Sequence, residues 1–74
     1  EAEVLEIEAQ PRSPVTKAAL GELTMPRDVL IAGVSHGGHV SVAAASTHIQ
    51  PGDRAYVFAR HAAVSAAESF FSKG

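Results

Sequence analysis

The chain has 74 residues, a net charge of −2 and no cysteine, and 46% of its residues are hydrophobic. The absence of cysteine excludes disulfides and thiolate metal sites, and the lack of a basic stripe argues against nucleic-acid binding. Four of the eight acidic residues lie within the first eight positions, so the rest of the chain is close to neutral. A domain this short builds only a small core, and association with another chain is the expected way to stabilise it.

Residues 1–74 are expected to form a single soluble domain. The longest strongly apolar run, residues 29–34, is too short to span a bilayer. The sequence shows no signal peptide and no starting Met, and it opens in the middle of strand-like alternation. These features suggest a domain excised from a larger protein.

The first third of the chain predicts a strand followed by a helix. Residues 3–10 alternate between apolar and polar side chains, which is typical of a half-buried strand. The buried side of this strand would carry Leu5, Ile7 and Ala9. Two prolines then interrupt the chain, and residues 15–23 repeat apolar side chains at helical spacing. A short helix is predicted there, ending before Pro26.

The middle of the chain predicts a hairpin. Residues 28–34 are almost continuously apolar, which is typical of a central strand covered on both faces. Gly37 and Gly38 can both adopt positive φ, so they predict the tight turn of a β-hairpin. The return strand would carry Val40 and Val42.

The last third predicts a turn, a strand and a helix. Pro51 and Gly52 suit the second and third positions of a type II turn, and Asp53 can accept hydrogen bonds from backbone donors around it. Residues 54–60 alternate as a strand, and residues 61–72 carry an apolar stripe at helical spacing. The order β-α-β-β-β-α predicts an α+β two-layer sandwich, with a small, mostly antiparallel sheet and helices on one face.

No residue pattern predicts catalysis or a metal site. The chain lacks a Gly-x-Ser-x-Gly elbow, a phosphate-binding loop and a telling pair of carboxylates, so an enzyme is not expected. His36 and His39 flank the two glycines of the predicted hairpin, but no carboxylate near them in sequence completes a ligand set. They are interpreted as solvated turn residues, and His48 and His61 as isolated ones.

Five ordered segments resemble the TrkA C-terminal domain, also called the RCK C-lobe, over nearly the whole chain. The segments are VLEIEA, SPVTKAALGEL, DVLIAGVSHGG, THIQPGDRAYVFAR and HAAVSAAESFF. The most specific piece is hydrophobic-x-Pro-Gly-Asp-x-hydrophobic-x-Val-Phe, which is carried by Ile49, Pro51, Gly52, Asp53, Ala55, Val57 and Phe58. Within it, Pro51, Gly52 and Asp53 are expected to shape a structural turn and to take no part in chemistry.

The resemblance implies a regulatory module on the cytoplasmic side of the cell membrane. Members of this family serve potassium channels, Trk-type potassium uptake systems and cation/proton antiporters. The implied partners are a second copy of the chain and a membrane-embedded transporter or channel subunit, in the same chain or a separate one. The pairing surface is expected to use Val29, Ile31, Val40, Val42 and the face of Phe70 and Phe71. A ligand-free assembly module of a transporter stays open as the alternative.

The resemblance also implies a small-molecule effector, cyclic di-AMP or another nucleotide, in a cleft at the dimer interface. The corresponding candidate residues are Ile31, Val34, Ser35, His36, Gly37, Gly38, His39 and Ala43. The family commonly has an arginine near the end of the second strand and a proline on the return strand, often followed by a basic residue. This chain has Ser35-His36 and Ala43-Ala44 there. Donors for a phosphate are therefore limited to the two imidazoles and the glycine amides.

Overall fold

A four-stranded antiparallel sheet with helical segments on one face forms the structure, a computed structural model that describes residues 1–73. The strands are β1 (Ala2–Glu8), β2 (Val29–His36), β3 (His39–Val42) and β4 (Arg54–Arg60), in the spatial order β1-β4-β2-β3. One α-helix, α1, spans Val64–Phe70, and short 3₁₀ helices span Pro14–Thr16, Leu20–Glu22 and His61–Ala63. The predicted α+β fold is confirmed, although its helices are few.

The core lies between one face of the sheet and the helical layer. The sheet contributes Val29, Ile31 and Val34 from β2 and Ala55, Val57 and Ala59 from β4. The other layer contributes Val15, Ile49, Ala67 and Phe71. Phe71 and Ile49 are the largest side chains that are completely enclosed, so they close the core of a small domain.

The predicted helix over residues 15–23 is wrong. The structure has two separate single-turn 3₁₀ helices there, and Ala19 between them is extended, with φ −61° and ψ 148°. The amide of Leu20 donates to the carbonyl of Thr47 at 2.8 Å, and the amide of Gly21 donates to Ala45 at 2.9 Å. These donors therefore find partners in a distant loop, and tertiary contacts override the local helical preference.

The prediction that β2 is covered on both faces is also wrong. Helical segments within residues 1–73 pack on one side of the sheet only, and the other side is named the open face here. The open face carries Val4, Leu30, Tyr56, Phe58, Val40 and Val42. Leu30 is consequently 61% exposed, although β2 lies inside the sheet between β4 and β3.

Part of the predicted pairing surface is used inside the fold instead. Val29, Ile31 and Phe71 are buried in the core of the single chain and are not available to a partner. Val40 and Val42 remain exposed, as predicted. The difference arises because successive side chains of β2 point to opposite faces, and only one of those faces meets the helical layer.

The remaining elements follow the sequence closely. β4 begins and ends where it was predicted. β1 ends two residues earlier than predicted, and the amide of Gln10 donates to the carbonyl of Phe71 instead of to β4. The predicted C-terminal helix consists of the 3₁₀ turn at His61–Ala63 and α1, with Ala67 buried against the core. Within residues 1–73, no helix has the length and hydrophobicity needed to cross a membrane.

Candidate functional site

A groove opens along the first half of β2, on the side away from β4. β3 pairs only with residues 33–36 of β2, and the last link between the two segments is the amide of Ala43, which donates to the carbonyl of Ala32 at 2.9 Å. Beyond that bond the chain turns away from β2. Residues 29–31 therefore border a cavity of about 240 Å³, named the edge groove here.

The lining of the edge groove is apolar. It consists of Val29, Leu30 and Ile31 from β2, Leu20, Gly21 and Met25 from the segment before it, and Ala43, Ala44 and Ala45. None of these described lining residues carries a charge. The groove therefore suits an apolar group, and it offers a phosphate no side-chain partner within a single chain.

The far wall of the edge groove is fixed by a close contact between two loops. Thr47 accepts a hydrogen bond from the amide of Ala44 through its hydroxyl oxygen, at 2.9 Å, which bends the chain after β3. A side chain at Gly21 would place its Cβ only 2.9 Å from the Cβ of Ala45. The absence of a side chain at Gly21 thus allows the alanine segment to approach and form the wall.

The structure distributes the eight predicted ligand-binding residues over separate places. Ile31 and Ala43 line the edge groove together, whereas Val34 is buried in the core. Ser35 is half-buried on the sheet. The other four, His36, Gly37, Gly38 and His39, form the tip of the β2–β3 hairpin. At roughly 3.3 Å per residue, the tip lies about 15 Å from Ile31, so the eight do not form one cleft within a single chain.

The hairpin tip is tied to the turn before β4 by a histidine–carboxylate contact. Gly52 has φ 92°, and the amide of Asp53 donates to the carbonyl of Gln50 at 3.0 Å, which gives the turn its type II form. One carboxylate oxygen of Asp53 accepts the amide of Gln50 at 2.9 Å. The other lies 2.5 Å from Nδ1 of His36. The turn therefore positions a buried carboxylate against the exposed end of β2.

Apolar side chains of the open face lie in register across neighbouring strands. Val4, Phe58 and Leu30 are register partners across β1, β4 and β2, so their side chains lie in one row. A bulge in β2 makes Gly33 the partner of Tyr56, and Gly33 also pairs with Val42. Exposed apolar side chains thus extend over all four strands.

Two of these features escaped the sequence reasoning. The contact between His36 and Asp53 joins residues 17 positions apart, and no local pattern announces it. The open face did leave a signal, because Tyr56 and Phe58 alternate with small residues along β4. When one side of a strand carries aromatic residues and the other mostly alanine, the alanine side is the one on which another layer packs closely.

Charged side chains on the sheet form solvent-exposed ion pairs. Nη1 of Arg54 lies 3.8 Å from a carboxylate oxygen of Glu6, with both side chains about half exposed. Such a pair contributes little to stability. Nδ1 of His61 contacts the carboxylate of Glu3 at the other end of β1. Within residues 1–73, no three His, Cys, Asp or Glu side chains are grouped as metal ligands.

Known proteins share the sequence pattern and the fold of this chain. The family model of the TrkA-C domain matches residues 4–72. A solved structure described as "Structure of RCK domain with cda" superposes with a TM-score of 0.78, covering 93% of this chain and 97% of that chain at 16% sequence identity. That similarity shows a shared fold. None of the curated proteins is a significant match. TrkA-C domains are regulatory and not catalytic, and the match spans nearly all of the described residues. The chain therefore belongs to the TrkA-C domain family, the regulatory domains of potassium and cation transport systems.

Proposed function

We propose that the chain is the cytosolic, effector-sensing and homodimeric regulatory domain of a potassium channel, a Trk-type potassium uptake system or a cation/proton antiporter. Family membership supports the link to ion transport. The exposed apolar side chains of the open face are the main support for pairing, because a second copy that covers them removes apolar surface from water.

The open face has the composition of an interface. Among residues 1–73, five large hydrophobic side chains are exposed, namely Val4, Leu30, Val40, Val42 and Phe58, and all five lie on this face. Monomeric proteins rarely expose a contiguous apolar patch of this kind. A second copy that packs sheet to sheet would remove these side chains from water, and each square ångström so buried stabilises by roughly 25 cal/mol.

The charges at the rim of the open face suit a two-fold arrangement. Glu6 and Glu8 of β1 are the register partners of Tyr56 and Arg54, and Arg60 lies at the other end of β4. A two-fold interface brings the same patch of both copies together, so an acidic strand of one copy can face basic residues of the other. Complementary rim charges of this type set orientation more than they set affinity.

The effector site is proposed at the junction of the edge groove and the open face. Leu30 belongs to both, so a second copy on the open face also borders the groove. Ile31 and Ala43 would contact the apolar part of an effector, and Ser35 with the amides of Gly37 and Gly38 would supply donors from the paired copies. His36 and His39, next to Ser35 and Val40 along their strands, lie on the other side of the sheet. The similar RCK domain solved with cda supports the capacity of this fold to hold a ligand.

The mechanism is a shift between two arrangements of the pair. An effector that binds one arrangement more tightly raises its population by the difference in binding free energy. A membrane-embedded transporter or channel subunit attached to the pair then responds to that population, and the coupling is reciprocal. Residues at the groove would set which effector is bound, and the open face would transmit the change.

A ligand-free assembly module is the second candidate, and the lining of the edge groove favours it. The alanines at 43, 44 and 45 leave the groove without a charged side chain, so a bis-phosphate ligand has few partners there. In this alternative the domain holds transporter subunits together through the open face and does not sense a small molecule.

The mass of the chain in solution tests the pairing. Light scattering at micromolar concentration is expected to give twice the chain mass for the wild type and the single mass for Phe58→Glu, which puts a charge in the middle of the open face. Ala66→Glu is the matched control, because Ala66 is exposed on α1, away from the sheet. A monomeric wild type would contradict the proposal.

A thermal-shift panel separates the two candidates. Cyclic dinucleotides and adenine and nicotinamide nucleotides are added in the presence of EDTA to the wild type and to Ala43→Leu, which narrows the groove. A ligand at a hundred times its dissociation constant stabilises the folded state by about 2.7 kcal/mol. A rise in unfolding temperature that Ala43→Leu abolishes supports effector sensing. No change in unfolding temperature with any compound supports the assembly module.

A further inference from the structure

Two histidines lie side by side at the tip of the β2–β3 hairpin. His36 is the last residue of β2, His39 is the first of β3, and the two are register partners. Gly37 and Gly38, with φ 54° and 84°, form the two-residue turn between them. Residues directly opposite in an antiparallel pair point to the same face, with Cβ atoms about 5 Å apart. The fold therefore presents two imidazoles together.

A buried carboxylate holds one of these imidazoles in a defined orientation. Nδ1 of His36 lies 2.5 Å from Oδ1 of Asp53, which is 6% exposed. Oδ2 of Asp53 accepts the amide of Gln50, so both carboxylate oxygens are engaged. Nδ1 of His36 thus faces the protein, while its side chain is 72% exposed and Nε2 is directed outward. Histidines that bind metals characteristically donate their second nitrogen to a carboxylate in this way.

We propose that His36 and His39 form a binding site for a divalent transition-metal ion of the zinc type, with Asp53 as the orienting group. Imidazole nitrogen is a preferred ligand of Zn²⁺, Ni²⁺ and Cu²⁺. Within residues 1–73, no third His, Cys, Asp or Glu joins the pair, so the remaining coordination positions are open to water or to a donor from another molecule. The site is therefore an exposed and exchangeable one, in contrast to a closed structural zinc site.

The sequence alone does not predict this site. Its two imidazoles were interpreted as solvated because no carboxylate lies near them along the chain, whereas the fold brings Asp53 against His36 from 17 positions away. Asp53 is also part of the turn before β4. A bound ion would consequently connect the hairpin to that turn and stabilise the folded domain through mass action.

The other two histidines provide internal controls. His61 has a carboxylate partner, Glu3, but its position is not paired with a second histidine. His48 has its Nε2 at 2.9 Å from the carbonyl oxygen of Thr16. His61 therefore has the carboxylate without a second histidine, and His48 has neither feature of the proposed site.

The test is a calorimetric titration of the 74-residue chain with ZnCl₂. The wild type is expected to bind Zn²⁺ and to unfold at a higher temperature in its presence. His36→Ala and His39→Ala are each expected to weaken binding at least tenfold, whereas His48→Ala and His61→Ala leave it unchanged. Asp53→Asn, which keeps the shape of the side chain, is expected to weaken binding by about tenfold or more, as the loss of an orienting carboxylate usually does.

Several outcomes would overturn the proposal. They are the absence of Zn²⁺ binding by the wild type, unaltered binding by His36→Ala or His39→Ala, and an equal loss in His48→Ala or His61→Ala. Circular dichroism confirms that each variant is folded. Because His39→Ala leaves the contact between His36 and Asp53 intact, that variant decides the matter even if His36→Ala is unstable. The titration is independent of pairing and of the nucleotide panel.

Discussion

The two sides of β4 carry apolar side chains of different size and different exposure. Ala55, Val57 and Ala59 point into the core and are 0%, 0% and 1% exposed, whereas Phe58, on the open face, is 46% exposed. The larger side chains of the strand thus lie outside, where a solitary domain would place its polar residues. The core side allows close approach of the helical layer, and the open face is the surface through which we propose that the chain pairs.

This contrast separates what holds one chain together from what could join two. Phe71 and Ile49 fill the space over the small core-side residues of β4, so the single chain has a completed, if small, core. The open face adds nothing to that core. Substitutions on the core side should therefore change folding, and substitutions on the open face should change association.

Of the substitutions on the core side, the one at Phe71 should cost the most stability. Phe71→Ala removes a fully buried ring and is expected to cost about 3–5 kcal/mol of unfolding free energy. A domain of this size has roughly 0.05–0.15 kcal/mol of stability per residue, so a large part of its stability would be lost. Urea denaturation measures the loss. Phe70→Ala is the matched control, since Phe70 is only half-buried, and an equal loss in both variants would refute the assignment of Phe71 to the core.

Neighbouring residues of β2 give a sharper test of the two faces. Ile31, which is 6% exposed on the core side, is expected to lose about 2–5 kcal/mol of unfolding free energy on substitution by alanine. Leu30→Ala removes a similar side chain from the open face and is expected to cost the monomer well under half of that. Urea denaturation of the two variants, at protein concentrations low enough to prevent pairing, measures both losses. Equal losses would mean that both faces of β2 contribute to the core.

The smallest expected effect concerns a buried hydroxyl on the core side. Ser13 is completely buried, and within the described residues its hydroxyl has no hydrogen-bond partner. Removal of an unsatisfied buried polar group is neutral or favourable. Ser13→Ala is therefore expected to leave the unfolding free energy unchanged or to raise it by up to about 1 kcal/mol. A clear loss on denaturation would show that the hydroxyl does make a bond.

How far the sequence could predict the structure depends on where each segment finds its hydrogen-bond partners. β4 and its turn were predictable because Pro51 and Gly52 restrict the backbone locally and the strand alternates. Residues 15–23 were not, because the amides of Leu20 and Gly21 bond to a loop more than twenty positions away. No local pattern contains that information.

The candidate site shows the same limit. The resemblance pointed to residues 31–36 and their return strand as a cleft, but β3 ends early, so Ile31 and Ala43 share a groove while the hairpin tip lies apart. The partnership of His36 with Asp53 depends on the turn folding against the hairpin. Residue types could be read from the sequence, whereas the distances between them required the fold.

Association through the open face of the sheet is tested by methyl NMR spectra recorded over a dilution series that runs from the paired to the single-chain mass, as light scattering reports it. The methyl shifts of Val4, Leu30, Val40 and Val42 are expected to change over the series, while those of the core residues Val15, Ile49 and Val57 stay constant. Changes confined to the methyl groups of α1, or no change at all as pairing is lost, would rule out this interface.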